Sequence, residues 1–227
     1  MMKKIDDENK NTEDYTPLLS QNISIVEVGA YSHIFDIFLN FLDIKTLIIT
    51  DIDSVKTEEQ KDADGQVKQN KDGTNKTKKS LFPVSESDDT SNASIRYFLK
   101  DISFDSLKTL DHKSKILSKK NSSWAKDDNG LICIAYQTKQ STYHARSFED
   151  AFISVNLDFI KSNKDSFKSL KNRDQIDDTK PDYFDIAEKC IDKKTLFATD
   201  ILYYSDENYQ EWQVPDYIKE GLVWLSK

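Results

Sequence analysis

The chain has 227 residues and a formal net charge of -8, with a pI near 5.0. Such a length can bury a real core and suits one large domain or two small ones. The acidity excludes a simple polyanion-binding module, so nucleic-acid contact would need local basic patches or metal ions that reverse the sign locally.

Residues 1–20, MMKKIDDENKNTEDYTPLLS, form a polar leader without an apolar signal core. No later run approaches membrane-spanning length, so a cytoplasmic, reducing location without membrane contact is expected. Order is expected to begin at NISIVEVG, where the β-branched run Ile23–Val28 stops at Gly29 as a buried strand should. In YSHIFDIFLNFLDI, Ile34, Phe35, Phe38, Leu39 and Leu42 have the one-sided spacing of an amphipathic helix. KTLIITDID then reads as a second strand. Strand, helix and strand within about thirty residues make a βαβ unit with parallel strands, whose carboxyl ends collect ligands. Glu27 ends the first strand and Asp51 and Asp53 the second, so three carboxylates are expected on one edge. Singly, such residues cap helices or solvate turns. Together they repel one another unless a cation sits between them, and oxygen donors suit Mg²⁺ or Mn²⁺.

Residues 54–90 are almost devoid of large apolar side chains and read as an exposed, mobile insertion. A solvated loop is the plain account, with lysines drawn to phosphates the weaker one. In SNASIRYFL, Ser91 or Asn92 caps a helix that buries Ile95, Phe98 and Leu99, and a helical, lysine-rich stretch is expected to about Lys120. LICIAYQ, residues 131–137, reads as a buried strand with Cys133 a core thiol. Cys133 and Cys190 are the only cysteines, too few for a disulfide framework and without zinc-ligand spacing. Helices are expected in RSFEDAFISVNLDFI, DYFDIAEKCI and KKTLFATDILYY. The extension 205–227 packs Trp212, Tyr217, Leu222 and Trp224 against the body. No internal repeat is visible.

Three metal-carboxylate families present D-x-D after a strand. DIDSV resembles the first motif of haloacid-dehalogenase-type phosphatases, yet their late acidic pair after another strand has no match here. A receiver domain has the opposite order of motifs. The ordered phrases VEVGAYSH, LIITDIDSVK, PVSESDDTSNASI, AYQ, RSFEDAFISVN, KKTLFATDILYY and VPDYIKEGLVWL resemble the Toprim half of OLD-family (overcoming lysogenization defect) nucleases, from about residue 22 to the C-terminus. That resemblance implies a Rossmann-like Toprim domain over 21–227, with a parallel sheet flanked by helices, the insertion and helical additions. It implies cleavage of DNA with one or two Mg²⁺ or Mn²⁺ ions held by Glu27, Asp51 and Asp53. Glu149 would make a second acidic contribution that Asp150 might share, and Ser91 a supporting one, while Lys194 would stabilise the scissile phosphate.

Family members also carry an ABC-type ATPase; this chain has no phosphate loop and hence no ATP site. An ATPase partner and a homodimer are both compatible with that. Many Toprim domains place a second acid four residues after the glutamate, where this chain has Tyr31; His33 is the available substitute. The alternatives are a haloacid-dehalogenase-type phosphatase and a degenerate Toprim module that only binds an ATPase.

Overall fold

The computed structural model describes residues 1–227. Its first element overturns the reading of a leader. Helix α1 (Met2–Asn9) buries Ile5 completely, and Leu18 further on is equally enclosed. Asp6 fixes the turn between them, accepting the Tyr15 hydroxyl and the Leu18 and Leu19 N–H groups.

The expected first strand does not form. Ile23–Val28 runs as exposed coil, with Ile25 78% and Val26 67% accessible. A short 3-10 segment (Gly29–Phe35) leads into α2 (Asp36–Leu42). The inner side of α2 is fixed by Asp36, whose carboxylate accepts Tyr97 OH at 2.7 Å, Lys119 Nζ at 2.5 Å and Trp124 Nε1 at 2.9 Å. Phe35 and Leu39 are only half-buried. Ile34, Ile37, Phe38 and Phe41, spaced i, i+3, i+4, i+7, face outward, with Ile37 and Phe41 each 81% exposed. The expected inward face of this helix is thus partly reversed.

Strand β1 (Thr46–Ile49) follows. β2 (Ser54–Glu59) and β3 (Thr77–Leu81) form an antiparallel hairpin, and β4 (Asp89–Thr90) pairs on the other side of β2. Residues 54–90 are therefore a three-stranded sheet with an exposed tip, rather than a loop; Val55, Val84 and Thr90 are buried at its base.

Two short helices, α3 (Ala93–Phe98) and α4 (Phe104–Leu107), precede β5 (Ile116–Lys120) and β6 (Ser123–Lys126). The helical reading to Lys120 thus gives way to strand at Ile116. β7 (Ile132–Ala135) lies where LICIAYQ predicts it. After a small ribbon of β8 (Lys139–Gln140) and β9 (Tyr143–His144) come five helices: α5 (Phe148–Val155), α6 (Leu157–Asn163), α7 (Tyr183–Cys190), α8 (Lys194–Tyr203) and α9 (Asp216–Leu225).

The main sheet runs β1-β7-β5-β6. β1 and β7 are parallel, while β5 is antiparallel to both β7 and β6, so the fold is α/β around a mixed sheet rather than a purely parallel one. Alternation along β7 feeds two cores. Ile132 and Ile134 join Ile48, Ile95, Phe98 and Leu117 on one side. Ala135 joins Ile5, Phe152, Phe197, Trp212 and Leu222 on the other. Helix α9 approaches β1 at Gly221, where a Cβ would stand 2.7 Å from a Leu47 methyl. The other side of β1 has no strand beside it.

Candidate active site

The carboxylates begin where the parallel pairing ends. Thr50 N–H still donates to Ala135 O at 2.9 Å, and Asp51 is next. Gln137, just past β7 and buried, clips this corner together. Its Oε1 accepts Ile52 N–H at 2.7 Å; its Nε2 donates to Asp51 Oδ1 at 2.5 Å and to the Tyr217 hydroxyl at 3.1 Å. Asp53 has φ +46°, a left-handed conformation that aspartate tolerates better than most residues, and this turns the chain into β2. Its carboxylate meets Asn92 Nδ2 at 3.3 Å and Arg146 Nη2 at 3.4 Å.

Arg146 is buried and also donates Nε–H to Ser54 O at 3.0 Å, tying the start of β2 to the approach to α5. Asn92 is the true cap of α3, accepting Ser94 and Ile95 N–H groups, while its amide nitrogen reaches the Thr50 hydroxyl and Asp51 O. From the other core come Glu149, in the first turn of α5, and Lys194, the first residue of α8. Their side chains pair at 2.8 Å, with Glu149 buried and Lys194 open to solvent. An open groove of about 490 Å³, lined by Lys193, Lys194, Thr195, Leu196 and Thr199, adjoins this cation.

The charges are strongly coupled. Burial pushes the Asp51 carboxyl up to about 7; the Gln137 hydrogen bond opposes this, Glu149 and Asp53 add to it, and Lys194 offsets part. Burial pulls the Lys194 ammonium down, but the Glu149 hydrogen bond and the charges of Glu149 and Asp51 outweigh it and hold its pKa above the ordinary value.

Of the residues singled out in the sequence, Asp53, Glu149 and Lys194 lie near enough to Asp51 for their charges to act on it, and Glu149 and Lys194 touch. Glu27 does not join them: it is exposed on the Ile23–Val28 coil and absent from the charges acting on Asp51. Asp150 serves the capping box of α5. Its oxygens accept Arg146 N–H, Ser147 N–H, Ser147 Oγ and Tyr143 OH, which leaves little for a ligand. The Ser91 hydroxyl donates to Asp53 O at 3.1 Å. His33 lies between the rings of Tyr31 and Tyr97, away from these carboxylates' hydrogen-bond network.

Gln137, Asn92, Arg146 and Tyr217 escaped the sequence reading as site residues. Gln137 alone carried a signal, a polar side chain directly after an apolar strand on the same sheet edge. Arg146 comes from irregular chain, whose path no periodicity reveals.

No three carboxylate, imidazole or thiolate side chains converge closely enough to hold a metal ion. The donor chemistry nonetheless suits a hard cation: three carboxylates stand against two side-chain cations, and the Asp51 carboxyl is raised to about 7. Donor type fits, then, while the spacing in the resting chain is not that of a loaded site.

No family model matches the chain, and no solved structure matches it. Among curated proteins it is similar to "Endonuclease GajA" of Bacillus cereus (strain HuB5-5), 29% identical over 233 residues that cover 98% of this chain. The chain thereby spans 29% of that relative's length, and almost all of it, site included, lies inside the similarity to an endonuclease.

Proposed function

We propose that the chain is the hydrolytic module of a divalent-metal-dependent DNA endonuclease of the Toprim type. The observation that carries this reading is the charge coupling of Asp51, at the carboxyl end of a parallel strand pair, to Asp53, Glu149 and the Glu149-paired Lys194. Its context, a chain similar to an endonuclease along nearly its whole length, supports DNA as the substrate.

Asp51, Asp53 and Glu149 would hold one or two Mg²⁺ or Mn²⁺ ions, with Ser91 nearby. When bound, such an ion would lower the pKa of water toward neutrality and act as a Lewis acid toward the phosphate. Gln137 holds Asp51 Oδ1, which leaves Oδ2 as the oxygen without a protein partner. Arg146 and Asn92 orient Asp53. Lys194 exchanges its Glu149 partner for a phosphate oxygen and stabilises the charge that builds there. Glu27, exposed on the Ile23–Val28 coil, would have to move with that coil to serve as a further ligand. An ABC-type ATPase domain or subunit, as in the resembled family, is the proposed companion.

Supercoiled plasmid incubated with Mn²⁺, Mg²⁺ or EDTA tests the reading. Nicking or linearisation that needs metal and disappears in Asp51→Asn is expected. Turnover of p-nitrophenyl phosphate with no action on plasmid would move the assignment to a phosphatase, whose nucleophile would be Asp51.

A further inference from the structure

The hairpin that leaves the site directly after Asp53 has a regularity the sequence hides. Gln60, Lys68 and Lys76, eight residues apart, close a ring of backbone hydrogen bonds: Gln60 N–H to Lys76 O at 2.8 Å, Lys68 N–H to Gln60 O at 2.8 Å, and Lys76 N–H to Lys68 O at 2.7 Å. Between them lie two turns of one design. Asp62 N–H donates to Gln66 O at 2.9 Å, and Asn70 N–H to Thr74 O at 2.8 Å. Gly65 and Gly73 sit at φ +81° and +83°. DADG and NKDG are thus two copies of one eight-residue unit.

Three exposed carboxylates of the arm accept hydrogen bonds within it: Asp62 Oδ1 accepts Asp64 and Gln66 N–H, Asp72 Oδ1 accepts the Thr74 N–H and hydroxyl, and Glu59 Oε1 accepts Asn75 Nδ2, while the Glu58 and Asp64 carboxylates accept none. Most of the ammonium groups make no such bond. Lys79 pairs with Asp89 at 2.5 Å, whereas Lys61, Lys68, Lys71, Lys76 and Lys78 are exposed and make no ion pair. In a chain of charge -8, this is a stiff arm with unpartnered cations rooted beside the candidate catalytic carboxylates.

We infer that the β2–β3 arm is a phosphate-backbone clamp that holds duplex DNA across the Asp51–Asp53 edge; this rests on the nuclease reading above. Contacts of this kind fix register without reading bases, and their signature is salt dependence. Binding of a labelled 30-base-pair duplex to the full chain, measured by anisotropy in EDTA across a NaCl series, tests it. The variants are the fivefold lysine-to-glutamine protein and two milder ones, Lys61→Gln/Lys68→Gln and Lys71→Gln/Lys76→Gln.

Each lost phosphate contact should flatten the log–log salt slope by roughly 0.9. The fivefold variant is expected to bind at least about tenfold more weakly at low salt, with the paired variants between it and wild type. Thermal melting should stay unchanged, and metal-dependent nicking at saturating DNA should persist with a raised KM. If wild type cuts plasmid while all variants keep its affinity and slope, the clamp is overturned and the nuclease reading stands. If wild type neither binds nor cuts DNA under any metal, both fall.

Discussion

The Asp51 carboxyl, raised by burial to about 7, contributes to the pH behaviour of the metal-free protein. Its folded-state pKa exceeds the unfolded value, so between about pH 4 and 7 the folded state holds the extra proton. Stability from this group is therefore present in acid and is lost as pH rises through 7. In EDTA, wild type should melt several degrees lower at pH 8 than at pH 5.5, and Asp51→Asn should show a smaller drop. Mn²⁺ should restore the wild type at pH 8 and leave the variant unmoved; parallel profiles with equal metal shifts would sink the assignment. Lys194 acts on the same carboxyl, because its charge holds the Asp51 pKa down. Lys194→Ala should therefore cut cleavage roughly 10²–10³-fold, on the scale of one lost stabilising donor. It should also move the Asp51 titration upward. Lys193→Ala, at the N-cap position of α8 and without an ion pair to the carboxylates, should do neither.

At the scale of elements, the contrast between α1 and the Ile23–Val28 coil explains what the sequence could and could not reveal. MKKIDDEN has one large apolar residue besides its methionine, and no periodicity can grow from one point. Yet Ile5 is fully enclosed. Ile5→Ala should cost about 2–5 kcal/mol and lower the melting temperature by several degrees. An unchanged melt would restore the reading of the segment as a loose leader. ISIVEV fails in the opposite way. Its β-branched run has a strand's composition, but β preference expresses itself only against a partner surface, and this stretch pairs with none. β7, α7, α8 and the joint stretch of α5 and α6 were legible because an apolar run or a helical stripe met a core on the expected side; the break at Asn156 and helix α9 were not. The β2–β3 arm was not, since its order rests on turn geometry among polar residues. Half the site was legible for a similar reason: Asp51 and Asp53 follow an apolar strand, while Arg146 and Tyr217 are brought there by tertiary folding alone. A close approach elsewhere offers a further check. At Gly130 a Cβ would lie 2.3 Å from Leu117 O, a backbone atom that cannot swing aside. Gly130→Ala should destabilise the β6–β7 connection by more than about 1 kcal/mol, visible as a lower denaturant midpoint.

For the whole molecule, the outward row Ile34, Ile37, Phe38 and Phe41 is followed in the chain by Ile44 and Ile49, which are exposed as well, and clustered bare apolar side chains invite association. The isolated chain should bind a dye such as ANS in its native state and sediment faster as concentration rises. Phe41→Glu should suppress both effects without lowering the melting temperature; persistence of both would place the sticky surface elsewhere. The parallel pairing of β1 with β7 has a consequence in time rather than in energy. Asp51 and Gln137 are 86 residues apart in the chain, and nothing local brings them together. Long loops of this kind close slowly compared with helix formation, so native contacts between distant strands lag behind. On dilution from denaturant, far-UV ellipticity should return first, as α5 to α9 form. Metal-dependent protection and cleavage should follow in a slower phase, making the candidate site the last part of the molecule to assemble.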